Sequence, residues 1–463
     1  MGDGMHVVML PWLAFGHTIP FLHLSIALAK SGIRISFLTP PRNIQRLPKI
    51  PPHLTALINL VELPLPAVDG LPEGAEATID IQHGSDEYLK KAYDLSYPTF
   101  EQFIAAQSPD WIIHDLFPSW TSKISREFGI PHVLFSAFSA AVMAFIGPLE
   151  SAMIGDDLRK LWPSPESLAT QPKWFEFDSS IAFRPHETDG VYRSFFSPNA
   201  SGLSDLDHVL LALQGCSAMA IRTCTEFEGE YLSLLPKLYK IPVIPVGLFP
   251  PALPDKRETT DPKWATTLKW LDDRPTRSVV YVCFGSECKL SSDQVYEIAH
   301  GLELSNLPFL WALRSPISST DDVDTLPSGF ESRIGSRGIV HLGWVPQLEI
   351  LAHPSIGGYF FHAGWGSIIE TVQYGHAMVV LPLANIQPLD ARHMVDKGLA
   401  IQVEINNDGS FHRDAISQSL RRAMVEEGGE RIRLKSMEMS AVFRDQKLHQ
   451  SYVNGFISFL KSS

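Results

Sequence analysis

Two groups of residues in this chain have types and spacings that could do chemistry. In the stretch WVPQLEILAHPSIGGYFFHAGWGSIIETVQYGHAMVVLPLANIQ, Trp344 to Gln387, an aromatic ring, an acid, an imidazole, two carboxamides and a Gly-x-Gly-Ser loop fall within one short segment. The apolar run Ile356 to Phe361 reads as a buried strand and Ser367 to Tyr374 as a helix, which makes HAGWGS a tight strand-to-helix loop. Such a loop favours anions. Gly364 and Gly366 let the backbone approach a ligand, Ser367 suits an N-cap, and the helix start offers amide N–H groups at a positive dipole end. Alone, the glycine pattern more often marks an ordinary tight turn, so its neighbours carry the argument. Trp344 can stack a base, Gln347 and Glu370 can take ribose hydroxyls, His362 can meet a phosphate, and Gln387 can bind a polar ligand such as a sugar.

The second group lies near the amino terminus. The apolar run His6 to Leu10 leads into the loop WLAFGHTIP and then an apolar-periodic stretch from Phe21 to Ala29, which reads as strand, loop, helix. Pro20 suits a first helical turn and Gly32 a C-terminal cap, with a strand resuming from Ile33 to Leu38. His17 then sits on the loop at the carboxyl end of a first strand, the edge where open parallel sheets bind ligands. Asp115 closes the apolar run Trp111 to Ile113 and is placed the same way, where it can orient an imidazole. A solitary loop histidine is most often structural, and the paired acid is what points to chemistry. A neutral imidazole can take the proton of a sugar hydroxyl or phenol as the new bond forms, worth ~10²–10⁴-fold in rate.

The 344–387 segment resembles, without a gap, the signature box of plant UDP-dependent glycosyltransferases. The resemblance implies that Trp344 stacks on uracil while the main chain at Val345 pairs with its edge. It implies that Gln347 and Glu370 bind ribose, that His362, Ser367 and the loop at Trp365 and Gly366 hold the diphosphate, and that Gln387 binds sugar hydroxyls. His17 and Asp115 match the family's catalytic base and its supporting acid. Gly285 and Ser286, in a Gly-containing loop of the second half, resemble the family's phosphate-side loop, and Ser136 in VLFSAFSA resembles a position that meets the donor sugar. Two positions depart from the pattern: Gly366 stands where many members carry Asn, and Ile386 where an Asp or Glu usually accepts from sugar hydroxyls. Asn385 and Asp390 are the nearby polar groups that could compensate. The donor expected is UDP-glucose or UDP-rhamnose, with inversion at the anomeric carbon.

These residues need a scaffold, and the chain has material for one. Its 463 residues exceed one typical domain, and 45% apolar content suffices for two cores. The order strand, Gly-containing loop, amphipathic helix, strand recurs from Ser278 to Arg314, so each half opens a βαβ series. The fold class expected is α/β, two Rossmann-like domains facing across a cleft, the arrangement called GT-B in the family. The proline-rich segment 243–265 reads as a linker and Val442 to Leu460 has helical spacing; the resemblance implies an acceptor domain over 1–242, a UDP-sugar domain over 266–441 and a C-terminal helix over 442–463 that packs back on the first domain.

Composition narrows the function. A net charge of −13 argues against a nucleic-acid or anionic-membrane surface. Cys216, Cys224, Cys283 and Cys288 form no C-x-x-C pair, which fits reduced thiols in the cytoplasm. No targeting segment or span is visible in the start MGDGMHVVML or the apolar stretch Ala137 to Ile146. No Asp-x-Asp or His/Cys ligand cluster stands out, so neither a metal nor another cofactor is expected. A monomer acting on a small-molecule acceptor is expected. FGHTIPFLHLSIALAKSGIRISFLTPPRNIQRLP and TCTEFEGEYL resemble most the plant clade that extends sugar chains on flavonoid, terpenoid and steroid glycosides. The alternatives are glycosylation of an aglycone and a non-catalytic UDP-sugar-binding protein; a dinucleotide oxidoreductase would need a Gly-x-Gly-x-x-Gly that the first loop lacks. Trp12, Phe117, Phe138, Phe195 and Phe196 are candidates for an apolar acceptor pocket, although aromatics dominate interiors as well.

Overall fold

The computed structural model describes residues 4–82, 84–148, 160–251, 262–285, 288–314 and 325–462. The chain divides into two compact units. One comprises 1–176, 188–249 and 446–463, the other 177–187 and 250–445. The first holds a seven-stranded sheet of β1 (His6–Leu10), β2 (Arg34–Thr39), β3 (Ile58–Glu62), β4 (Trp111–His114), β5 (His132–Ser136), β6 (Ala218–Ile221) and β7 (Val243–Pro245). The second holds six strands, β8 (Val279–Cys283), β9 (Phe309–Leu313), β10 (Gly338–Leu342), β11 (Ile356–Phe361), β12 (Ala377–Val380) and β13 (Ala400–Gln402). Every named pairing is parallel.

Parallel strands covered by helices on both faces must be apolar on both, and β1 meets that demand residue by residue. Val7 and Met9 point into one core with Phe21, Leu22 and Phe135, while Val8 and Leu10 point into another with Trp12, Tyr93 and Phe100. In the second unit Val280 and Val282 enter a core with Trp311, Phe360 and Leu420.

Strand order sets where a ligand can sit. The first sheet runs β3-β2-β1-β4-β5-β6-β7, so the winding reverses between β1 and β4; the second runs β10-β9-β8-β11-β12-β13 and reverses between β8 and β11. At such a switch point the loops leaving adjacent strands diverge and open a crevice at the carboxyl ends. His17 and Asp115 follow β1 and β4, and Gly285 and His362 follow β8 and β11.

Several boundaries differ from the sequence reading. The first helix spans Phe15–Ala29 with Ala14 as N-cap, so His17 lies in its first turn and Pro20 lies inside it. The Thr18 hydroxyl donates to the Trp12 and Ala14 carbonyls and supports the early start that a proline would otherwise argue against. The box helix begins at Trp365 with Gly364 as N-cap, which makes Ser367 a first-turn residue and not the cap. The carboxyl-terminal pattern from Val442 to Leu460 is not one helix: Asp445 (φ −70°, ψ 88°) separates Glu430–Arg444 from Gln446–Ser462. Part of the expected linker, 252–261, lies outside the described residues.

The terminal helix is integral to the first unit. Val453, Phe456, Ile457 and Leu460 join the core of β1, and Trp111 Nε1 donates to the Leu460 carbonyl at 3.0 Å. Phe456→Ala would leave a cavity beneath β1, costing about 3–5 kcal/mol. Denaturant unfolding of the full chain is expected to show a correspondingly lower midpoint for the first unit; an unchanged midpoint would mean that this helix is peripheral.

Candidate active site

In the first unit the site is organised by Asp115. Register pairs Leu10 with His114, so the chain leaving β1 runs beside the residue leaving β4. Asp115 is fully buried. Its Oδ1 accepts the Leu116 amide at 2.7 Å, and its Oδ2 accepts the Trp12 amide at 3.1 Å and His17 Nδ1 at 2.9 Å. An ionised carboxylate only accepts, so Nδ1 carries the proton and Nε2 is the basic nitrogen. The His17 side chain keeps 12% exposure, enough for its ring edge to be reached from solvent. Phe138 packs edge-on to the imidazole at 5.0 Å, and Phe117 lies 4.7 Å from Trp12.

Of the expected pocket aromatics, Trp12, Phe117 and Phe138 therefore gather around the His17–Asp115 pair. Trp12 is itself buried in the core, and it serves Asp115 through its backbone amide. Phe195 and Phe196, on the helix Pro185–Phe196, have a ring contact with each other, and Phe196 has another with Tyr192. Ser136 ends β5 fully buried, with its hydroxyl accepting the Phe138 amide at 3.3 Å.

In the second unit Gln347 and Glu370 come together: Gln347 Nε2 donates to Glu370 Oε2 at 2.7 Å. Two buried tyrosines hold Gln347 from below, Tyr359 and Tyr281 donating to its Oε1 at 3.2 and 3.3 Å. Sequence reasoning missed both tyrosines, because an aromatic in an apolar strand looks like core alone. Trp344 is 72% exposed, its indole open to stacking, while Val345 beside it is buried.

His362 is boxed in by glycines. A Cβ at Gly285, whose φ is +76°, would sit 2.6 Å from its Cε1, and one at Gly364 would sit 2.8 Å from its Nε2. Its Nδ1 is buried without a partner. Burial lowers its pKa from the ordinary 6.5 to about 4, so the imidazole is neutral near pH 7. The next helix, Trp365–Gln373, starts here, and its first-turn amides at Trp365, Gly366 and Ser367 belong to the class that lacks intrahelical partners. A neutral donor beside a helix N-terminus, with no side chain at the glycines, suits an anion. Ser286 lies outside the described residues.

Ile386 is the N-cap of the helix Gln387–Asp396. Gln387 Oε1 accepts the amides of Leu383 and Ala384 at 3.2 and 3.3 Å, which leaves its NH₂ as the group oriented to donate elsewhere. Asn385 is exposed in a left-handed conformation (φ 54°), and Asp390 is buried.

One sequence expectation is corrected. The chain does assemble a His/Cys cluster: His114, His132 and Cys216 bring their ligand atoms within 4.8 Å of one another. Separations of 18 and 84 residues hid it from any spacing pattern.

Known proteins resemble this chain along nearly its whole length. The family described as "UDP-glucoronosyl and UDP-glucosyl transferase" matches residues 258–449. The chain is 39% identical to UDP-glycosyltransferase 91C1 of Arabidopsis thaliana, covering 99% of this chain and 97% of that one. It is also 39% identical to soyasaponin III rhamnosyltransferase of Glycine max, covering 99% and 95%. The fold superposes on Arabidopsis thaliana UGT89C1 complexed with UDP-L-rhamnose with a TM-score of 0.73 at 23% identity, covering 99% of each chain.

Two outcomes follow. Glu370→Ala should weaken UDP binding by roughly 1.5–3 kcal/mol, the worth of a hydrogen bond to a charged group, and calorimetry should see it with UDP alone. His362 contributes stability above pH 6.5, where folded and unfolded forms are both neutral, and loses it as pH falls toward about 4, since only the unfolded form gains a proton there. His362→Gln should therefore show a shallower loss of unfolding free energy between pH 6.5 and 4 than wild type; parallel curves would contradict the neutral, desolvated imidazole.

Proposed function

We propose, from the premise that this chain belongs to the plant UDP-dependent glycosyltransferase family, an enzyme family of two parallel-sheet α/β domains, that it moves a hexosyl group from a UDP-sugar to a hydroxyl of a plant small molecule with inversion. The observation that carries this reading is the 2.9 Å contact from His17 Nδ1 to an Asp115 carboxylate that is buried and held by two backbone amides. A UDP-sugar-binding protein without activity would need no such pair.

The steps follow from the residues. The acceptor hydroxyl gives its proton to His17 Nε2 while its oxygen attacks the anomeric carbon from the face opposite UDP. The bond to the diphosphate oxygen breaks, and UDP leaves with the bonding pair. Asp115 stabilises the imidazolium formed on His17, and negative charge growing on the diphosphate meets His362 and the amides of the Trp365–Gln373 helix start. Trp344 stacks on the base and Gln347 and Glu370 take the ribose hydroxyls. Trp12, Phe117 and Phe138 offer the acceptor an apolar surface beside His17. The acceptor class we favour is an existing flavonoid, terpenoid or steroid glycoside, supported by the resemblance of the opening segment and by the saponin named for the soybean relative. Four free cysteines are consistent with a cytoplasmic setting.

Donor choice turns on Ile386. A glucosyl ring presents equatorial hydroxyls that a carboxylate accepts from; a rhamnosyl ring carries a 6-methyl group and gains from apolar contact. Isoleucine at this position supports UDP-rhamnose beside UDP-glucose, and the rhamnosyltransferase among the relatives supports it further.

His17→Ala is expected to lower kcat by ~10²-fold or more, the worth of a general base, while the UDP dissociation constant stays within twofold of wild type. Asp115→Asn should lower kcat in the same direction. Wild-type turnover in His17→Ala would remove it as the base. Ile386→Asp should raise the ratio of glucosyl to rhamnosyl transfer, since one well-placed charged hydrogen bond is worth ~1.5–3 kcal/mol. Equal kcat/KM ratios before and after would show that position 386 does not select the sugar.

A further inference from the structure

Next to Asp115, through a contact from His114 to its backbone carbonyl, lies a second constellation that the transfer reaction does not use. His114, the last residue of β4, His132, the first of β5, and Cys216, just before β6, are all buried. His114 Nε2 is 2.8 Å from His132 Nδ1, and Cys216 Sγ is 3.4 Å from His132 Nδ1 and 3.7 Å from His114 Nε2. Among the described residues this is the one group of three or more His, Cys, Asp or Glu side chains with such converging ligand atoms.

The outward sides of the rings are what make the cluster informative. His114 Nδ1 lies 2.8 Å from the Asp115 carbonyl, so its proton is held there and its Nε2 lone pair points inward. His132 has the backbone carbonyls of Gln214 and Gly215 beside it as further acceptors. A metal-binding histidine characteristically donates its other N–H to a backbone carbonyl in this way, which fixes the tautomer and aims the lone pair. Without an ion, His132 must keep its proton on Nδ1 and share it with His114 Nε2, so the Gln214 and Gly215 carbonyls receive no proton from its other nitrogen. Burial keeps both rings neutral, pushing His114 down to about 3 and His132 to about 4, and it raises the Cys216 thiol. The Cys216 thiol also lies 3.3 Å from the Ala212 carbonyl, to which it donates.

We propose that His114 Nε2, His132 Nδ1 and Cys216 Sγ form a binding site for one thiophilic divalent cation of the zinc class. Zinc bonds of ~2.0–2.1 Å to nitrogen and ~2.3 Å to sulfur at tetrahedral angles place sulfur and nitrogen about 3.5 Å apart and two nitrogens about 3.3 Å apart. The two sulfur distances already bracket that value, and binding requires the rings to separate by about half an ångström. On binding, the Cys216 proton leaves to solvent, the His132 proton passes from Nδ1 to Nε2, which then donates to the Gln214 and Gly215 carbonyls, and two lone pairs and the thiolate bond to the ion. One coordination position is left to water, as three-ligand zinc sites commonly leave it. The site is distinct from the UDP-sugar residues, and because His114 holds the Asp115 carbonyl, its occupant would be one residue from the carboxylate that orients His17.

The test uses the full-length protein, stripped with a chelator and then titrated with zinc against a chromophoric competitor, and in parallel with cobalt. One zinc per chain is expected, together with a thiolate-to-cobalt charge-transfer band and the intense visible bands of tetrahedral cobalt. Cys216→Ala, which removes the sulfur at little cost in volume, should lose the charge-transfer band and bind zinc at least tenfold more weakly; His132→Gln should weaken zinc similarly. Should either variant fail to fold, the other reads the same ligand set, and the wild-type cobalt spectrum needs neither. Absence of stoichiometric uptake by wild type, a charge-transfer band that survives in Cys216→Ala, or an unchanged zinc affinity in His132→Gln overturns the proposal and leaves the cluster a hydrogen-bonded histidine pair.

Discussion

A single buried carboxylate fixes the arrangement of the loops that leave β1 and β4. Asp115 is withdrawn from water, and a carboxylate so placed is tolerable only when donors replace its hydration. Three do: the amides of Leu116 and Trp12 and the imidazole of His17. Two of these donors come from the chain leaving β1 and one from the residue after Asp115 itself, so the carboxylate ties together the two strands between which the sheet reverses its winding. The basic nitrogen of His17 is thereby a consequence of topology: the acid can reach Nδ1 because β1 and β4 are neighbours.

The second unit solves a different problem by the same topology. Its switch point, between β8 and β11, brings Gly285 and Gly364 against His362 so closely that a methyl group at either would collide with the ring. What the first unit achieves with a charged partner, the second achieves with absence of side chains: a neutral imidazole packed against two glycines beside a helix start. Burial that would be a liability for a cationic histidine keeps His362 neutral near pH 7.

Much of this was legible in the sequence, and the exceptions have physical causes. The strand Ile356–Phe361, the recurring βαβ opening and the pairing of His17 with Asp115 came from apolar runs ended by polar residues, a strictly local signal. The helix start at Phe15 did not, because proline at position 20 argues for a boundary and only the Thr18 hydroxyl, folded onto Trp12 and Ala14, offsets it. Ser367 was misplaced as a cap because Gly364, which has no side chain to cap with, takes that position. The break at Asp445 carries no proline or glycine to announce it. The supports of Gln347 by Tyr281 and Tyr359, and the cluster of His114, His132 and Cys216, depend on which strands become neighbours, and no spacing along the chain encodes that.

The central claim is that Asp115 fixes His17 in the tautomer whose Nε2 is basic. Nitrogen NMR of ring-labelled protein, with His17 assigned by its loss in His17→Gln, reads that state directly. The account predicts that at neutral pH Nδ1 carries the proton and Nε2 shows the shift of an unprotonated nitrogen, and that Asp115→Asn abolishes this preference. A His17 protonated on Nε2 in the wild-type protein, or a tautomer indifferent to Asp115→Asn, would contradict it.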